Sequence, residues 1–264
     1  MTRGQGRLRA ERGVTLVEAA VVLAVASILA AVAAPSINGY VDQARQARTR
    51  EDIQTIGDAI NQFISDTGEH QFLINANGGG GVPPTRADSN RVDLLVSDGD
   101  IPTLGTAVSG ESFWTQAVTG NGKADTLSNH LIENTPAELS THRYRNPTDI
   151  IVGSPGGNNI DFARSDSAGL NAPQAWRGPY LRGPVDPDPW GNRYAVNVAF
   201  LDPAPTDTIT GITAGSFSPA SDYPRLDVFV LSAGPDEEID TKSAQDGAVP
   251  GDDDFIYLVS SHAK

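Results

Sequence analysis

From Val14 to Ala34 the chain is apolar at every position except Thr15, Glu18 and Ser27. A helix of about twenty such residues is long enough to cross the hydrocarbon core of a bilayer. Beyond Pro35 the pattern changes. Ile37, Tyr40, Val41, Ala44, Ala47, Ile53, Ile56, Ala59, Ile60, Phe63 and Ile64 recur at three- and four-residue steps, with Asp42, Arg45, Arg48, Arg50, Asp58 and Asp66 between them. That spacing predicts an amphipathic helix, and Gly68 is placed to end it. The two stretches together predict one helix from about Thr15 to Asp66, roughly 75–80 Å long at the standard rise. Its first half is apolar around the whole circumference and needs lipid or other helices on every side. Its second half has one apolar stripe, which fits packing against a globular head. The charged cluster from Arg45 to Glu51 is expected to be a solvated face.

Periodicity weakens after residue 68. Residues 69–175 hold Gly78-Gly79-Gly80-Gly81 and few apolar runs, and predict a loop-rich insertion. Val92–Val96 allows a short helix or strand, as does Phe113–Val118, and Leu127–Leu139 reads as helix that Pro136 would break. The glycine run lacks the Gly-Lys-Ser/Thr ending of a phosphate loop. His130 and His142 show no ligand spacing and are expected at the surface. From residue 176 strand patterns return. Pro189-Trp190-Gly191-Asn192 reads as a turn entering a strand with Tyr194, Val196 and Val198, followed by Leu226–Val230 and Phe255–Val259. An antiparallel meander results. The predicted fold class is α+β: a long N-terminal spine helix packed on a small antiparallel sheet head at 176–264, with a large loop-rich insertion at 69–175.

Charge adds direction to this picture. Residues 1–13 carry four arginines against Glu11, a net of +3, so the formal −14 of the whole chain leaves −17 on the remainder. Arginines before an apolar span hold that end in the cytoplasm, which would put the acidic body on the other side. Such a body is repelled by phosphate backbones, so nucleic-acid binding is disfavoured. The chain has no cysteine, which excludes thiol nucleophiles, cysteine zinc sites and disulfides. No Gly-x-Ser-x-Gly elbow appears, and Asp186 and Asp188 sit in a proline-rich turn setting. The residues thus point away from an enzyme.

Three readings of the N-terminus compete. Ala31-Val32-Ala33 would suit an ordinary secretory cleavage site, and a plain single-pass anchor is a second reading. Neither accounts for Glu18, because a carboxylate inside an apolar span costs a few kcal/mol unless it has a partner. The third reading comes from the string Gly13-Val14-Thr15-Leu16-Val17-Glu18 with Pro35 downstream. It resembles the prepilin peptidase site of type IV pilins and type II secretion pseudopilins. The resemblance implies a leader at 1–13, cleavage between Gly13 and Val14, and methylation of the new Val14 amine. It also implies pairing of Glu18 with the amine of a neighbouring subunit. Residues 14–35 would then be the transmembrane part of the spine and 36–68 its amphipathic part. Val14 departs from the family's usual phenylalanine.

A second resemblance covers roughly residues 176–257. Gly178-Pro179-Tyr180-Leu181, then Asp188-Pro189-Trp190-Gly191-Asn192 with Tyr194, then Ser232-Ala233-Gly234-Pro235-Asp236 stand in the order found in the major pseudopilin of type II secretion. In that family the following loop binds calcium and ends in adjacent aspartates, as Asp252, Asp253 and Asp254 do here. Calcium prefers six to eight oxygen ligands, and three consecutive carboxylates repel one another unless a cation relieves them. The expected ligands are Ser232, Asp236, Asp252, Asp253 and Asp254, with Asp240 available between them. A solvated acidic loop is the simpler alternative.

Taken together, the expected function is structural: a subunit of a type IV pilus-like filament, with a type II secretion pseudopilin driving protein export as the finer expectation. Its partners would be copies of itself and other pilin-like subunits, the prepilin peptidase, the inner membrane, and a secretion or pilus assembly platform. The alternative is a minor pilin or a membrane-anchored calcium-binding module that does not polymerise by itself.

Overall fold

The computed structural model describes residues 14–68, 72, 74, 91–119, 123–136, 144, 175–201, 209 and 226–260, with side chains left out at 32–36, 38 and 260. Helix α1 runs from Leu16 to Thr67. The chain divides into two compact units between Arg45 and Gln46.

In the first unit α1 exposes its large apolar side chains on every face, among them Leu16, Val17, Val21, Leu23, Val25 and Ile28. Among the described residues no helical stretch is long and apolar enough to cross a membrane. Described side chains stop at Ala31 and resume at Ile37, so that statement covers only part of the apolar run from Val14 to Ala34.

In the second unit α1 behaves as its stripe predicts. Ile53, Ile56, Ala59, Ile60 and Phe63 are buried. The helix closes at Gly68, whose φ of 65° is the left-handed cap that glycine adopts without strain, and whose N–H donates to the Ile64 carbonyl at 2.8 Å. The stripe packs on a five-stranded sheet of order β3-β1-β4-β5-β7. Its strands are β1 (Leu94–Val96), β3 (Ala124–Thr126), β4 (Ala195–Val196), β5 (Val228–Ser232) and β7 (Phe255–Ser260). A two-stranded ribbon joins β2 (Thr103–Leu104) to β6 (Glu238–Ile239).

The expected antiparallel meander is present in β4, β5 and β7, but the sheet as a whole is mixed. β1 runs parallel to β3, and β2 parallel to β6. The strands of 94–126 and those of 195–260 share one sheet, because β1 bridges β3 and β4. The described part of 69–175 therefore contributes strands β1 and β3 to the core sheet and is more than a loop-rich insertion. The reason lies in the register. Val230 pairs with Tyr257, and Phe229 with Leu258. Tyr257 reaches α1, where its hydroxyl donates to Asp58 at 3.1 Å. Phe229 points to the opposite face, which Trp114 covers at 5.7 Å between ring centroids, with Phe113 stacked on Phe200 beyond it. A strand buried on both faces reads as a continuous apolar run, and Val228–Leu231 is one. Its second face needs a cover, and Phe113 and Trp114 provide it from turns without forming the short regular element expected there.

Several local expectations are also adjusted. Val198–Leu201 is a 3-10 turn and not a continuation of β4. Helix α2 spans only Leu127–Leu131, opened by Thr126, whose hydroxyl accepts the Asn129 N–H. His130 is fully buried, not at the surface: its imidazole sits between Asp125 at 2.9 Å and the Tyr144 hydroxyl at 2.7 Å. A histidine on a five-residue helix is drawn inside when both ring nitrogens find partners there. His142 lies outside the described residues. The charged cluster on α1 has partners within the head: Arg48 lies 3.4 Å from Asp52 and 3.7 Å from Asp186, and the Arg50 guanidinium rests 5.0 Å over the Phe255 ring.

Candidate functional site

Two places carry the chemistry singled out in the sequence. The first is the start of α1. Gly13 lies outside the described residues, while Val14 is exposed and stands before the helix. Thr15 caps it. Its hydroxyl accepts the Glu18 N–H at 3.2 Å, and its carbonyl accepts the Ala19 N–H at 3.0 Å. In return, the Glu18 carboxylate accepts the Thr15 N–H at 2.9 Å and the Thr15 O–H at 3.0 Å, both on Oε2. This is a reciprocal capping box, in which residues three apart satisfy each other's free donors. Glu18 therefore has a partner inside its own chain. The Thr-x-x-Glu spacing is the signal of this capping box in the sequence.

The second place is the loop between β5 and β7. Asp236, Asp240 and Asp252 each bring a carboxylate oxygen to one point, all within 4.8 Å of one another. Two glycines let the backbone close around Asp240. A Cβ on Gly105 would fall on its carboxylate, and one on Gly251 would lie 2.5 Å from its main chain. Gly234, at φ 76°, permits a similar approach to the Asp253 carbonyl.

The five residues expected as ligands do not stay together. Asp236 and Asp252 belong to the cluster, which Asp240 joins. Asp253 stands beside Asp236, and burial together with that neighbouring charge pushes its carboxyl up from the usual range. Asp254 turns inward at 7% exposure. Its Oδ2 accepts from the Asp240 N–H, the Thr241 N–H and the Thr241 hydroxyl, while Oδ1 is buried with no hydrogen-bond partner among the described residues. Burial pushes the Asp254 carboxyl up to about 7, against the lowering effect of those bonds. Ser232 faces elsewhere. Its hydroxyl donates to Asp188 Oδ2 at 2.8 Å, and Asp188 Oδ1 accepts the N–H groups of Trp190 and Asn192. Asp188, assigned to turn chemistry in the sequence, holds that turn, and its carboxyl is pushed up by burial.

The same loop fastens residues 103–116 to the head. The Thr103 N–H donates to the Glu237 carbonyl, the Gly105 N–H to that of Ile239, and the Trp114 indole N–H to that of Thr241 at 2.8 Å. The Glu111 carboxylate accepts both the N–H and the hydroxyl of Ser243. A position in this loop thus reaches both the acidic cluster and the second face of the sheet.

Residues 8–34 match the family model described as a prokaryotic N-terminal methylation motif. No curated protein and no solved structure matches the chain. The matched stretch contains Gly13, Val14, Thr15 and Glu18 together with the apolar run that follows them. The chain thus carries, over residues 8–34, the motif of prokaryotic N-terminal methylation.

Proposed function

We propose that this chain is a structural subunit of a type IV pilus-like filament, of the type II secretion pseudopilin kind, and not an enzyme. One observation carries the reading: the methylation motif coincides with a capped helix start followed by apolar side chains exposed all round. A peptidase cut between Gly13 and Val14 removes the basic leader and creates an amine at the edge of an apolar helix. Residues 14–35 hold the subunit in the inner membrane, with the acidic head outside the cytoplasm. Glu18 supplies the anion for the amine of a neighbour. Contacts of this head-to-tail kind do not close into a ring, so they generate an open helical filament. Mass spectrometry of the chain purified from its native membrane tests the proposal. A start at Val14 with one added methyl supports it; a start at Ala34 or an uncut N-terminus overturns it.

The acidic loop supports calcium binding as part of the same reading. Asp236, Asp240 and Asp252 supply carboxylate oxygens, which fit a hard cation with flexible coordination. Bound calcium would relieve the repulsion among these carboxylates and tie the loop without a disulfide. Calorimetric titration with calcium checks this: the chain should bind it, and Asp240→Asn should weaken binding by at least tenfold. Equal binding by the variant would remove Asp240 from the site. If the processed chain binds calcium but remains dispersed in the membrane, the anchored binding module replaces the filament reading.

A further inference from the structure

The five-stranded sheet has two edges, and they are finished differently. β3 forms one of them with only three residues, and its Thr126 N–H is taken by the Asp125 carboxylate at 2.8 Å. β7 forms the other. It runs six residues, from Phe255 to Ser260, and among the described residues no strand pairs with its outer side. Edge strands are ordinarily guarded by charge, proline, a bulge or brevity. Phe255-Ile256-Tyr257-Leu258-Val259-Ser260 contains no charged residue and no proline. Its one irregularity lies at the far end, opposite Val228 and Phe229, so Phe255–Leu258 keep a regular register.

The two faces of this edge differ. Toward α1, Gly57 lets the Tyr257 ring lie against the helix, and the Tyr257 hydroxyl donates to exposed Asp58. On the other face Leu258 stands opposite Phe229 and is 44% exposed. Charge surrounds the strand but stays off it. Asp58 lies beside its middle, and Asp252 and Asp253 precede it, while the Arg50 guanidinium rests over the Phe255 ring.

The geometry points to β7 as a docking edge for an extended segment of another protein, apolar at alternate positions and basic at one end. The apolar positions cover Leu258, and the basic end meets Asp252 and Asp253. Such a segment adds a further strand: its main chain pairs with the outer side of β7, and its alternate side chains supply selectivity. Antiparallel addition places the segment's C-terminal end beside those aspartates. The charge around the edge draws a basic segment and repels the same edge of a second copy, which is equally acidic. The inference stands apart from the filament reading and holds whether or not the chain polymerises.

The test uses the full chain in detergent and chelator, with a synthetic peptide of alternating valine and threonine ending in two lysines as the probe. Binding is read by fluorescence anisotropy of the labelled peptide, and protection of the Phe255–Ser260 amides by hydrogen exchange. The expected result is binding with slowed exchange along β7. N-methylation of the peptide amides, which removes its main-chain donors and leaves the protein untouched, should weaken binding by about tenfold or more. Leu258→Lys, which puts a charge on the edge, should weaken it by about tenfold, as should glutamates in place of the peptide lysines. Absence of binding would overturn the inference. So would binding that N-methylation and Leu258→Lys leave unchanged, because attraction to the acidic body would then be its whole cause. Self-association of the chain that Leu258→Lys abolishes, read by sedimentation, would also overturn it by giving the edge to a second copy.

Discussion

The two halves of α1 are one helix by backbone and two different objects by side chain. Between Leu16 and Ala31 the large apolar residues are exposed on all faces, Leu16 at 85% and Leu23 at 68%. Between Ile53 and Phe63 the apolar residues are buried and the polar ones face out. The outward half has its own polar partners, as in Arg48 with Asp52. The difference teaches that a continuous apolar surface states a need for a partner, whereas an apolar stripe shows that the need is met within the chain.

The sharpest way to break this comparison is truncation of one large side chain in each half. Phe63 is fully buried, stacked on Phe72 at 4.5 Å and edge-on to Tyr144 at 4.9 Å. Phe63→Ala should cost about 3–5 kcal/mol. Leu23→Ala should shift unfolding of the head by less than about 0.5 kcal/mol. Near-UV circular dichroism during urea unfolding of the full chain in detergent reads both; similar losses would erase the distinction.

Two glycines of the same helix give a second matched pair. A Cβ at Gly57 would fall on the Tyr257 ring, while one at Gly39 meets nothing within 4 Å among the described residues. Gly57→Ala should therefore destabilise the head by about 1–3 kcal/mol, through displacement of β7 from the helix. Gly39→Ala should be neutral or add up to about 1 kcal/mol of helix stability. Opposite signs in thermal melts confirm the difference, and equal signs refute it.

A pH titration of the cation-free chain sharpens the account of the head. Burial holds the Asp254 carboxyl at about 7, above its unfolded value of 3.8. The folded chain then keeps a proton that the unfolded chain releases. This contribution to stability is fully present below pH about 4 and is lost as pH rises toward about 7. Asp254→Asn should flatten that part of the stability profile, measured by melting in chelator; an unchanged slope would exclude Asp254 as its source.

A small loss is expected from Tyr257→Phe. The hydroxyl bond to Asp58 is exposed and competes with water, so its loss should cost about 0.5 kcal/mol. The ring against Gly57 does the packing. A loss several times larger in chemical unfolding would place the stability of this seam in the hydrogen bond instead.

The spine was legible because a helix repeats every 3.6 residues and its stripe is long enough to count. Leu16–Thr67 agrees with the expected bounds to within a residue at either end. The strands β5 and β7 were legible as apolar runs bounded by turn residues. The core role of Phe113, Trp114 and His130 was not, since each is a single residue in a turn or a short helix, without period. The acidic loop was recognisable by its charge, but the choice among aspartates was not. Asp252 and Asp254 are two positions apart, yet one joins Asp236 and Asp240 while the other turns inward to Thr241.

By itself the sequence determined the helix, its change from an all-apolar to a striped surface, the junction around Gly13 and Glu18, and the acidic character of the body. All of these are set by neighbours within one or two turns of chain. Only the tertiary structure decided that 94–126 shares a sheet with 195–260, that Asp240 and not Ser232 stands with Asp236 and Asp252, and that His130 is interior. Those outcomes depend on residues up to a hundred or more positions apart, whose pairing is chosen by which apolar faces must be covered and which buried polar atoms must be satisfied.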